Sequence, residues 1–318
     1  MDNVKDNAKR EDNTSSGGFC RGLGGGSNGG FCCGLGERLG GGLSGKYPLT
    51  GRENHSENTV VKVGNATIGD GKFDFIAGPC AVESEKQIIE TATALKKSGV
   101  KILRGGAYKP RTSPYSFQGL GKEGLKFLRK AKEETGLAVV TEITDLRTLD
   151  LFDGVDMIQI GARNMQNFEL LKEVGKFGKP VLLKRGFVNT VEEWLMSAEY
   201  IASNGALDIV LCERGVRTFE TLTRNTLDLG IIPLVKELTR LPVIIDPSHA
   251  SGNKKLIRPL TLAAAAVGAD GAIIECCVSP ENAVCDGEQA ITPEELKEII
   301  SAAAKVKEAA EKNGEASR

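Results

Sequence analysis

From residue 59 onward, short apolar runs alternate with longer amphipathic stretches. The runs are rich in Val, Ile and Leu, which is typical of strands buried in a parallel sheet. Between them, apolar side chains recur at helical spacing, for example over residues 85–98 and 191–203, and this predicts helices. The predicted strands lie at residues 73–77, 101–104, 138–142, 157–160, 181–184, 209–212, 243–246 and 272–275.

Strands that alternate with helices pair in parallel through crossover connections. Eight such units in about 250 residues match a closed barrel, so we predict an α/β fold, a (β/α)8 TIM barrel, over residues 59–318. A doubly wound open sheet is the alternative, but it usually has a glycine fingerprint after its first strand, unlike Gly78-Pro79-Cys80. Ahead of the barrel, apolar runs at 60–63 and 66–68, joined by Gly64-Asn65, predict a short β-hairpin.

Residues 1–58 have a different composition and form a separate predicted region, the head. They hold 15 of the 39 glycines and three of the eight cysteines. Because glycine loses much backbone entropy on ordering and little apolar area offsets that loss, we predict a disordered head. Cys20, Cys32 and Cys33 lack the paired spacing of a zinc site.

The charge balance and hydropathy exclude several classes of protein. The chain has 41 Lys and Arg against 42 Asp and Glu, which argues against binding nucleic acid through bulk charge. No run of 18 apolar residues is present, and the charged N-terminus lacks the apolar core of a signal peptide. We therefore expect a cytoplasmic protein with reduced cysteines that binds neither nucleic acid nor membrane.

Cations recur at the carboxyl ends of the predicted strands, where TIM barrels carry their chemistry. Cations gathered at one mouth repel one another unless an anion neutralises them, and guanidinium and ammonium groups suit phosphate and carboxylate oxygens. For any single cation a surface salt bridge is the alternative, but the whole set predicts phosphorylated substrates. The set is Arg104, Lys109, Arg111, Arg163, Lys184, Arg185 and Arg214.

A second group at the same strand ends combines one thiol, one imidazole and two carboxyl groups. Its members are Cys80, His249, Glu275 and, in the loop after the last strand, Asp286. Such mixed donors suit one divalent ion of manganese, iron, cobalt or zinc. The residues are far apart in the chain, so only a closed barrel would bring them together. A buried structural cysteine and a hydrogen-bonded histidine are the alternatives for the first two.

Six segments around these residues resemble the type I-beta group of 3-deoxy-D-arabino-heptulosonate 7-phosphate (DAHP) synthases. The similarity runs from about residue 59 to the C-terminal helix, and the head lies outside it. The segments are AGPCAVES at 77–84, LRGGAYKPRTSPYSFQGLG at 103–121, IQIGARNMQNFELL at 158–171, KPVLLKRGF at 179–187, LCERGVRTFE at 211–220 and DPSHASG at 246–252.

The resemblance implies an aldol-type condensation of phosphoenolpyruvate with erythrose 4-phosphate and water, which gives DAHP and phosphate. This reaction opens the shikimate pathway to aromatic amino acids. The resemblance also implies that Cys80, His249, Glu275 and Asp286 hold one divalent metal per subunit. Phosphoenolpyruvate would be bound by Arg104, Lys109, Glu142, Ala162, Arg163, Lys184 and Arg214, and erythrose 4-phosphate by Lys109, Pro110, Arg111, Thr112 and Ser113. Lys109, Glu142 and His249 would act in catalysis.

Two other functions remain open at this stage. One is 3-deoxy-octulosonate 8-phosphate synthase, whose sugar-binding motif typically reads Lys-Ala-Asn-Arg, whereas this chain has Lys109-Pro110-Arg111-Thr112. The other is a non-catalytic barrel that binds phosphorylated metabolites. Family habit implies a homo-oligomer, a dimer or tetramer. We expect no dedicated regulatory domain, because the head is rich in glycine and the tail ends with the eighth helix, and a chorismate mutase that binds the head is a possible partner.

Overall fold

The computed structural model describes residues 45–315, so most of the head, with its predicted disorder, lies outside the described residues. An antiparallel hairpin precedes a closed barrel of eight parallel strands, which confirms the predicted (β/α)8 fold and its N-terminal hairpin. The hairpin strands are β1 (Val61–Val63) and β2 (Ala66–Ile68). The barrel strands are β3 (Asp74–Gly78), β4 (Ile102–Arg104), β5 (Ala138–Ile143), β6 (Met157–Ile160), β7 (Val181–Lys184), β8 (Ile209–Glu213), β9 (Val243–Ile245) and β10 (Gly271–Glu275).

Each barrel strand pairs with the next along the chain, and β10 pairs with β3 to close the barrel. The observed strand ends differ from the predicted ones by at most one residue. Because all the strands run in the same direction, their carboxyl ends open at one mouth. The residues at these ends are therefore neighbours in space, as the sequence predicts.

Helices cover the outside of the barrel, and the predicted helices at 85–98 and 191–203 are both present. Their starts are encoded locally, since the Ser84 side chain accepts a backbone hydrogen bond and Thr190 forms a capping box with Glu193. The helices are α1 (Glu85–Lys97), α2 (Lys122–Thr135), α3 (Phe168–Phe177), α4 (Val191–Ala202), α5 (Ile231–Leu238), α6 (Pro247–Ser251), α7 (Lys254–Ala266) and α8 (Pro293–Glu315). Among the described helices, none is long and apolar enough to cross a membrane.

One crossover departs from regular strand–helix alternation. Between β5 and β6 the chain forms a 3-10 helix, Leu146–Phe152, which Asp145 caps through its side chain. Its Phe152 is fully buried and stacks against Tyr108, with ring centroids 6.2 Å apart. The short segment therefore still covers the barrel at this position.

The hairpin closes the end of the barrel opposite the mouth. Gly64 has a φ of 58°, a left-handed conformation that the tight turn between β1 and β2 requires. In β1 the side chains alternate, with Val61 and Val63 buried and Lys62 exposed. The buried hairpin side chains pack with the apolar residues inside the barrel, in one cluster: Val61, Val63, Ala66, Ile68, Ile76, Ile102, Ala138, Val140, Met157, Leu182, Val210, Cys212, Ile244 and Ile273.

Packing against the barrel already begins at Tyr47, ahead of the boundary predicted at residue 59. The backbone N–H of Thr50 donates to the buried Glu199 of α4 at 2.7 Å, and its hydroxyl donates to the same oxygen at 2.6 Å. The hydroxyl of Thr239 donates in turn to the Thr50 carbonyl oxygen at 2.6 Å. This segment is therefore joined to two helices of the outer layer.

Candidate active site

A cavity of about 470 Å³ opens at the carboxyl ends of the barrel strands. Every residue predicted to bind either substrate contributes to its wall, and two of the predicted metal ligands, His249 and Asp286, do so as well. The substrate-binding set in the wall is Arg104, Lys109, Pro110, Arg111, Thr112, Ser113, Glu142, Ala162, Arg163, Lys184 and Arg214. Barrel closure thus brings together residues that lie more than a hundred positions apart in the sequence.

The four predicted metal ligands form one cluster beside this cavity. Cys80 follows β3, His249 lies in α6, Glu275 ends β10, and Asp286 lies in the loop that follows. One donor atom from each lies within 4.8 Å of all the others. The Cys80 Sγ atom is 3.0 Å from Oδ2 of Asp286, and Nε2 of His249 is 3.0 Å from Oε1 of Glu275. Such spacing suits an ion bonded to all four at roughly 2.0–2.3 Å.

The backbone of Asp286 supports a functional role for this cluster. Among the described non-glycine residues, Asp286 alone has a left-handed conformation, with a φ of 57°. Such a conformation costs energy and occurs mostly where the surrounding structure requires it. In this conformation, Oδ2 of Asp286 lies beside the Cys80 thiol.

Further residues orient the donor atoms of the cluster. The side-chain amide of Gln289 donates to Oε2 of Glu275, and Oγ of Ser248 accepts from the Glu275 backbone N–H at 3.0 Å. Asp246 accepts from the backbone N–H and from the ring of His249. Partners of this kind set the direction of metal ligands in proteins. The donor set and its supports therefore fit a divalent metal.

Charges around the cluster change the ionisation of its members. Burial opposes ionisation of Glu275, but His249 and Arg104 outweigh it and hold the pKa of this carboxyl well below its usual range. For Cys80 the hydrogen bond with Cys285 and burial raise the pKa of the thiol well above its usual range. Cys80 therefore needs a nearby cation to become a thiolate, and the Lys109 ammonium lies 2.9 Å from its sulfur.

Two of the predicted cations that line the cavity are already paired with carboxylates. Arg104 donates to Oε1 of Glu275 at 2.8 Å, and Lys184 forms an ion pair with Asp246. Both cations are almost fully buried. Nε of Arg104 is buried without a hydrogen-bond partner, which leaves one donor for a bound ligand.

The prediction that Arg185 lies with the other cations at the mouth is wrong. Among the described residues that line the cavity, Arg185 is not present. It is buried against Glu213 at 2.9 Å and lies 3.4 Å from Asp228. Successive residues of a strand point to opposite faces of the sheet. Because Lys184 faces the barrel interior, Arg185 as the next residue points away from it.

Glu142 is placed by two neighbours at the mouth. The side-chain amide of Gln159 donates to its Oε2 atom at 3.1 Å. Gly161 approaches so closely that a Cβ atom there would lie 1.9 Å from Oε1 of Glu142. The carboxylate is therefore held over the cavity by a backbone that leaves no room for a side chain.

Seven residues that line the cavity are not among the predicted site residues: Ser116, Gln159, Gly161, Phe187, Arg217, Arg224 and Asn225. Arg217 and Arg224 lie in the loop after β8, so extending the search for cations from strand ends into the following loops would find them. Phe187 carries no such signal, because an apolar residue after a strand ordinarily predicts packing. Cys285, interpreted from the sequence as a free thiol, lies 3.7 Å from the Cys80 sulfur.

Comparison with known proteins agrees with this geometry. The model of the DAHP synthetase I family matches residues 53–312. A crystal structure of phospho-2-dehydro-3-deoxyheptonate aldolase (DAHP synthase) from Thermotoga maritima superposes with a TM-score of 0.80 at 52% identity, over 83% of this chain and 77% of that chain. A truncated 3-deoxy-D-arabino-heptulosonate 7-phosphate synthase from the same organism has a TM-score of 0.77 at 48% identity, over 83% of this chain and 98% of that chain.

Curated sequences separate the two enzyme groups considered above. A phospho-2-dehydro-3-deoxyheptonate aldolase of Thermotoga maritima is 53% identical over 264 residues, which cover 83% of this chain and 78% of the relative. A 2-dehydro-3-deoxyphosphooctonate aldolase of Francisella tularensis subsp. holarctica is 31% identical, over 76% of this chain and 94% of that relative. With the family model, the fold and the higher identity in agreement, the chain belongs to the DAHP synthetase I family.

Proposed function

We propose that the chain condenses phosphoenolpyruvate with erythrose 4-phosphate and water, and releases DAHP and inorganic phosphate. The observation that carries this proposal is the convergence of the four-donor cluster and the unpaired cations on one cavity. Membership of the DAHP synthetase I family and the identity to a Thermotoga maritima relative support the same reaction.

Phosphoenolpyruvate lies in the deeper part of the cavity. The free Nε donor of the buried Arg104 and the Lys184 ammonium suit its anionic oxygens. Arg163 and Arg214 supply further guanidinium groups, and Glu142 faces the same space. These residues bind and orient the enol so that its nucleophilic carbon points at the second substrate.

Erythrose 4-phosphate meets the loop after β4, where Lys109, Pro110, Arg111, Thr112 and Ser113 line the cavity. Arg111 and Thr112 offer charged and hydroxyl donors to its phosphate. The aldehyde end then faces the four-donor cluster of Cys80, His249, Glu275 and Asp286.

A divalent ion of manganese, iron, cobalt or zinc, held by this cluster, would supply Lewis-acid polarisation of the aldehyde oxygen. The buried mixture of sulfur, nitrogen and oxygen donors suits such an ion. His249 presents Nε2 to the site because its other ring nitrogen is held by Asp246.

The chemistry forms a carbon–carbon bond and a carbon–oxygen bond to water, and it breaks the carbon–oxygen bond to phosphate. The enol carbon attacks the aldehyde carbon, and Lys109, which lies between Cys80 and the open cavity, donates a proton to the new alkoxide. Water adds at the neighbouring carbon, where the Glu142 carboxylate stabilises the developing positive charge. Phosphate then leaves by cleavage of the carbon–oxygen bond.

The decisive experiment measures DAHP and phosphate from the two substrates with added Mn²⁺. Product formation that is lost on chelation and in Cys80→Ala supports the proposal. Activity that survives full metal removal overturns the metal assignment. A preference for arabinose 5-phosphate over erythrose 4-phosphate favours the octulosonate alternative, and tight binding of both substrates without turnover favours the non-catalytic barrel.

The assembly and location of the protein stay predictions. We propose a homo-oligomer, a dimer or tetramer, which light scattering of the full chain would measure. A chorismate mutase bound to the head would be captured by the full chain and lost on removal of residues 1–58. We also propose a cytoplasmic location, which fractionation of cells that express the full chain would test.

A further inference from the structure

Three arginines at the mouth surround a single aromatic ring. The guanidinium carbon of Arg214 lies 4.5 Å from the ring centroid of Phe187, that of Arg217 lies 4.9 Å away, and that of Arg163 lies 5.4 Å away. All four residues line the cavity. Arg163 follows β6, whereas Arg214 and Arg217 both follow β8, and the ring is their shared contact.

These arginines differ in their partners from three other cations of the cavity. Arg104, Lys184 and Arg224 each form an ion pair with a carboxylate. Across residues 45–315, no carboxylate oxygen lies within 4.0 Å of the three arginines around the ring. Three like charges near one ring repel one another. A bound anion would neutralise them and stabilise the arrangement.

The position of Phe187 is fixed by backbone contacts from neighbouring loops. Its carbonyl oxygen accepts a hydrogen bond from the Arg217 backbone N–H at 2.7 Å. The N–H of Gly186 contacts the sulfur of Met165 at 3.1 Å. A side chain at Gly186 would collide with Asn189, because a Cβ atom there would lie 1.8 Å from the amide oxygen. The ring is thus a rigid support between the loops after β6, β7 and β8.

We propose that Phe187 is a positioning residue that gathers three guanidinium groups around one phosphate. Arg217 is then a further ligand of phosphoenolpyruvate, beside Arg163 and Arg214. This inference rests on the proposed function, and it adds two residues that the sequence resemblance does not assign.

The cation–π contacts and the hydrogen bonds to phosphate contribute different amounts of stabilisation. A guanidinium over an aromatic face that solvent reaches gains too little free energy to offset the repulsion among three cations without an anion. A phosphate offers several oxygens, and each charge-assisted hydrogen bond from a guanidinium is roughly twice as strong as a neutral one. The ring therefore pre-organises the site, and the phosphate stabilises it.

The test uses the full chain with Mn²⁺ and steady-state kinetics in which each substrate is varied separately. In Phe187→Leu, which removes the ring but keeps an apolar side chain, we expect the KM for phosphoenolpyruvate to rise about fivefold. In Arg217→Gln we expect a rise of about tenfold. The KM for erythrose 4-phosphate changes much less in both. Phe187→Tyr keeps the aromatic face and restores the affinity that Leu loses.

A matched control exists elsewhere in the fold. Phe177 holds the Lys179 ammonium 5.9 Å from its ring centroid and does not line the cavity. Phe177→Leu therefore removes a comparable contact, and we expect both KM values to stay unchanged. The double variant Phe187→Leu/Arg217→Gln should lose less than the product of the two single losses, because Phe187 acts partly through Arg217.

Three results would overturn the inference: an unchanged affinity for phosphoenolpyruvate in both variants, an increase confined to the KM for erythrose 4-phosphate, or a Tyr variant as weak as the Leu variant. Calorimetric titration with phosphoenolpyruvate reports the same affinities without turnover. If the unaltered chain makes no product, the proposed function fails, and the calorimetry still decides whether the ring and Arg217 hold this ligand.

Discussion

Oδ2 of Asp246 accepts a hydrogen bond from Nδ1 of His249 at 2.7 Å. A carboxylate can only accept, so Nδ1 carries a proton, and Nε2 is the ring nitrogen that can exchange its proton for a metal ion. Nε2 faces Cys80 and Glu275 in the cluster. The contact therefore selects the ring nitrogen that is available to a metal.

Replacing this carboxylate tests the role of the contact. In Asp246→Asn we expect the affinity for Mn²⁺ to fall about 10- to 100-fold, because the amide has one neutral acceptor oxygen where the carboxylate had two charged ones to orient His249. Calorimetry or metal analysis after dialysis would measure the loss. Asp70→Asn, at an exposed salt bridge with Lys72, is the matched control. Equal metal affinity in the two variants would contradict the prediction, and thermal unfolding distinguishes loss of the ion from loss of the fold.

The close approach of Gly161 to Glu142 predicts a catalytic defect in Gly161→Ala. The added Cβ atom would lie 1.9 Å from Oε1 of Glu142, so the carboxylate must move. We expect kcat to fall about tenfold or more, since displacement of a catalytic group by about 1 Å is costly, while the melting temperature changes little. Gly230→Ala is the control, because the nearest atom to its added Cβ lies 3.7 Å away. A kcat equal to that of the control would count against a role for Glu142.

Asp74, at the start of β3, predicts a pH dependence of stability. Burial, reinforced by Asp70 and Asp270, raises the pKa of its carboxyl to about 6, although Lys101 and Lys72 oppose the shift. The folded state therefore retains a proton that the unfolded chain releases. As a result, the contribution of this group to stability falls as the pH rises from 3.8 to about 6.

Asp74→Asn removes this unfavourable ionisation. At pH 7 we expect the variant to be more stable than the unaltered chain by about 1 kcal/mol, a value discounted for partial exposure of the group. The difference should disappear near pH 4, as urea unfolding at the two pH values would measure. Asp208→Asn, at an exposed carboxyl group, should show the same difference at both. A stability gain that does not depend on pH would refute the assignment.

The N-terminal segment predicts a difference between two truncations. Glu199 is buried and accepts hydrogen bonds from Leu49 and from the backbone and hydroxyl of Thr50. Removal of residues 1–58 leaves this carboxylate without these donors, at a cost of about 1–3 kcal/mol. Relative to a chain that lacks only residues 1–44, we expect a melting temperature lower by about 5 °C. Scanning fluorimetry would measure the difference, and equal melting temperatures of the two truncated chains would contradict this prediction.

The fold follows from the sequence because its signals are local. The run Val181-Leu182-Leu183-Lys184 predicts β7 with its observed bounds, and the apolar spacing after Thr190 predicts α4. The connection after β5 is less regular in the structure, since Leu146–Phe152 forms a 3-10 helix. Such short segments owe their conformation to packing on the barrel rather than to intrinsic propensity.

The sequence predicts which residues form the candidate site, but it does not predict which of them contact one another. The members of the four-donor cluster follow from their positions at strand ends, and they do meet. Arg185 shares that position, yet strand alternation turns it toward Glu213. The contact between Phe187 and Arg217 forms only when neighbouring loops come together in the fold. No local sequence pattern distinguishes an aromatic ring that packs in the core from one that contacts cations.

The sequence by itself determined the order of strands and helices, the closure into a barrel and the residue types at its mouth. These depend on apolar periodicity and on strand ends, which are read within a few residues. Only the tertiary structure decided which cation has a carboxylate partner, which nitrogen of His249 faces the cluster, and which arginines share the ring of Phe187. Such pairings depend on distances between atoms far apart in the chain, and these distances exist only once the barrel has closed.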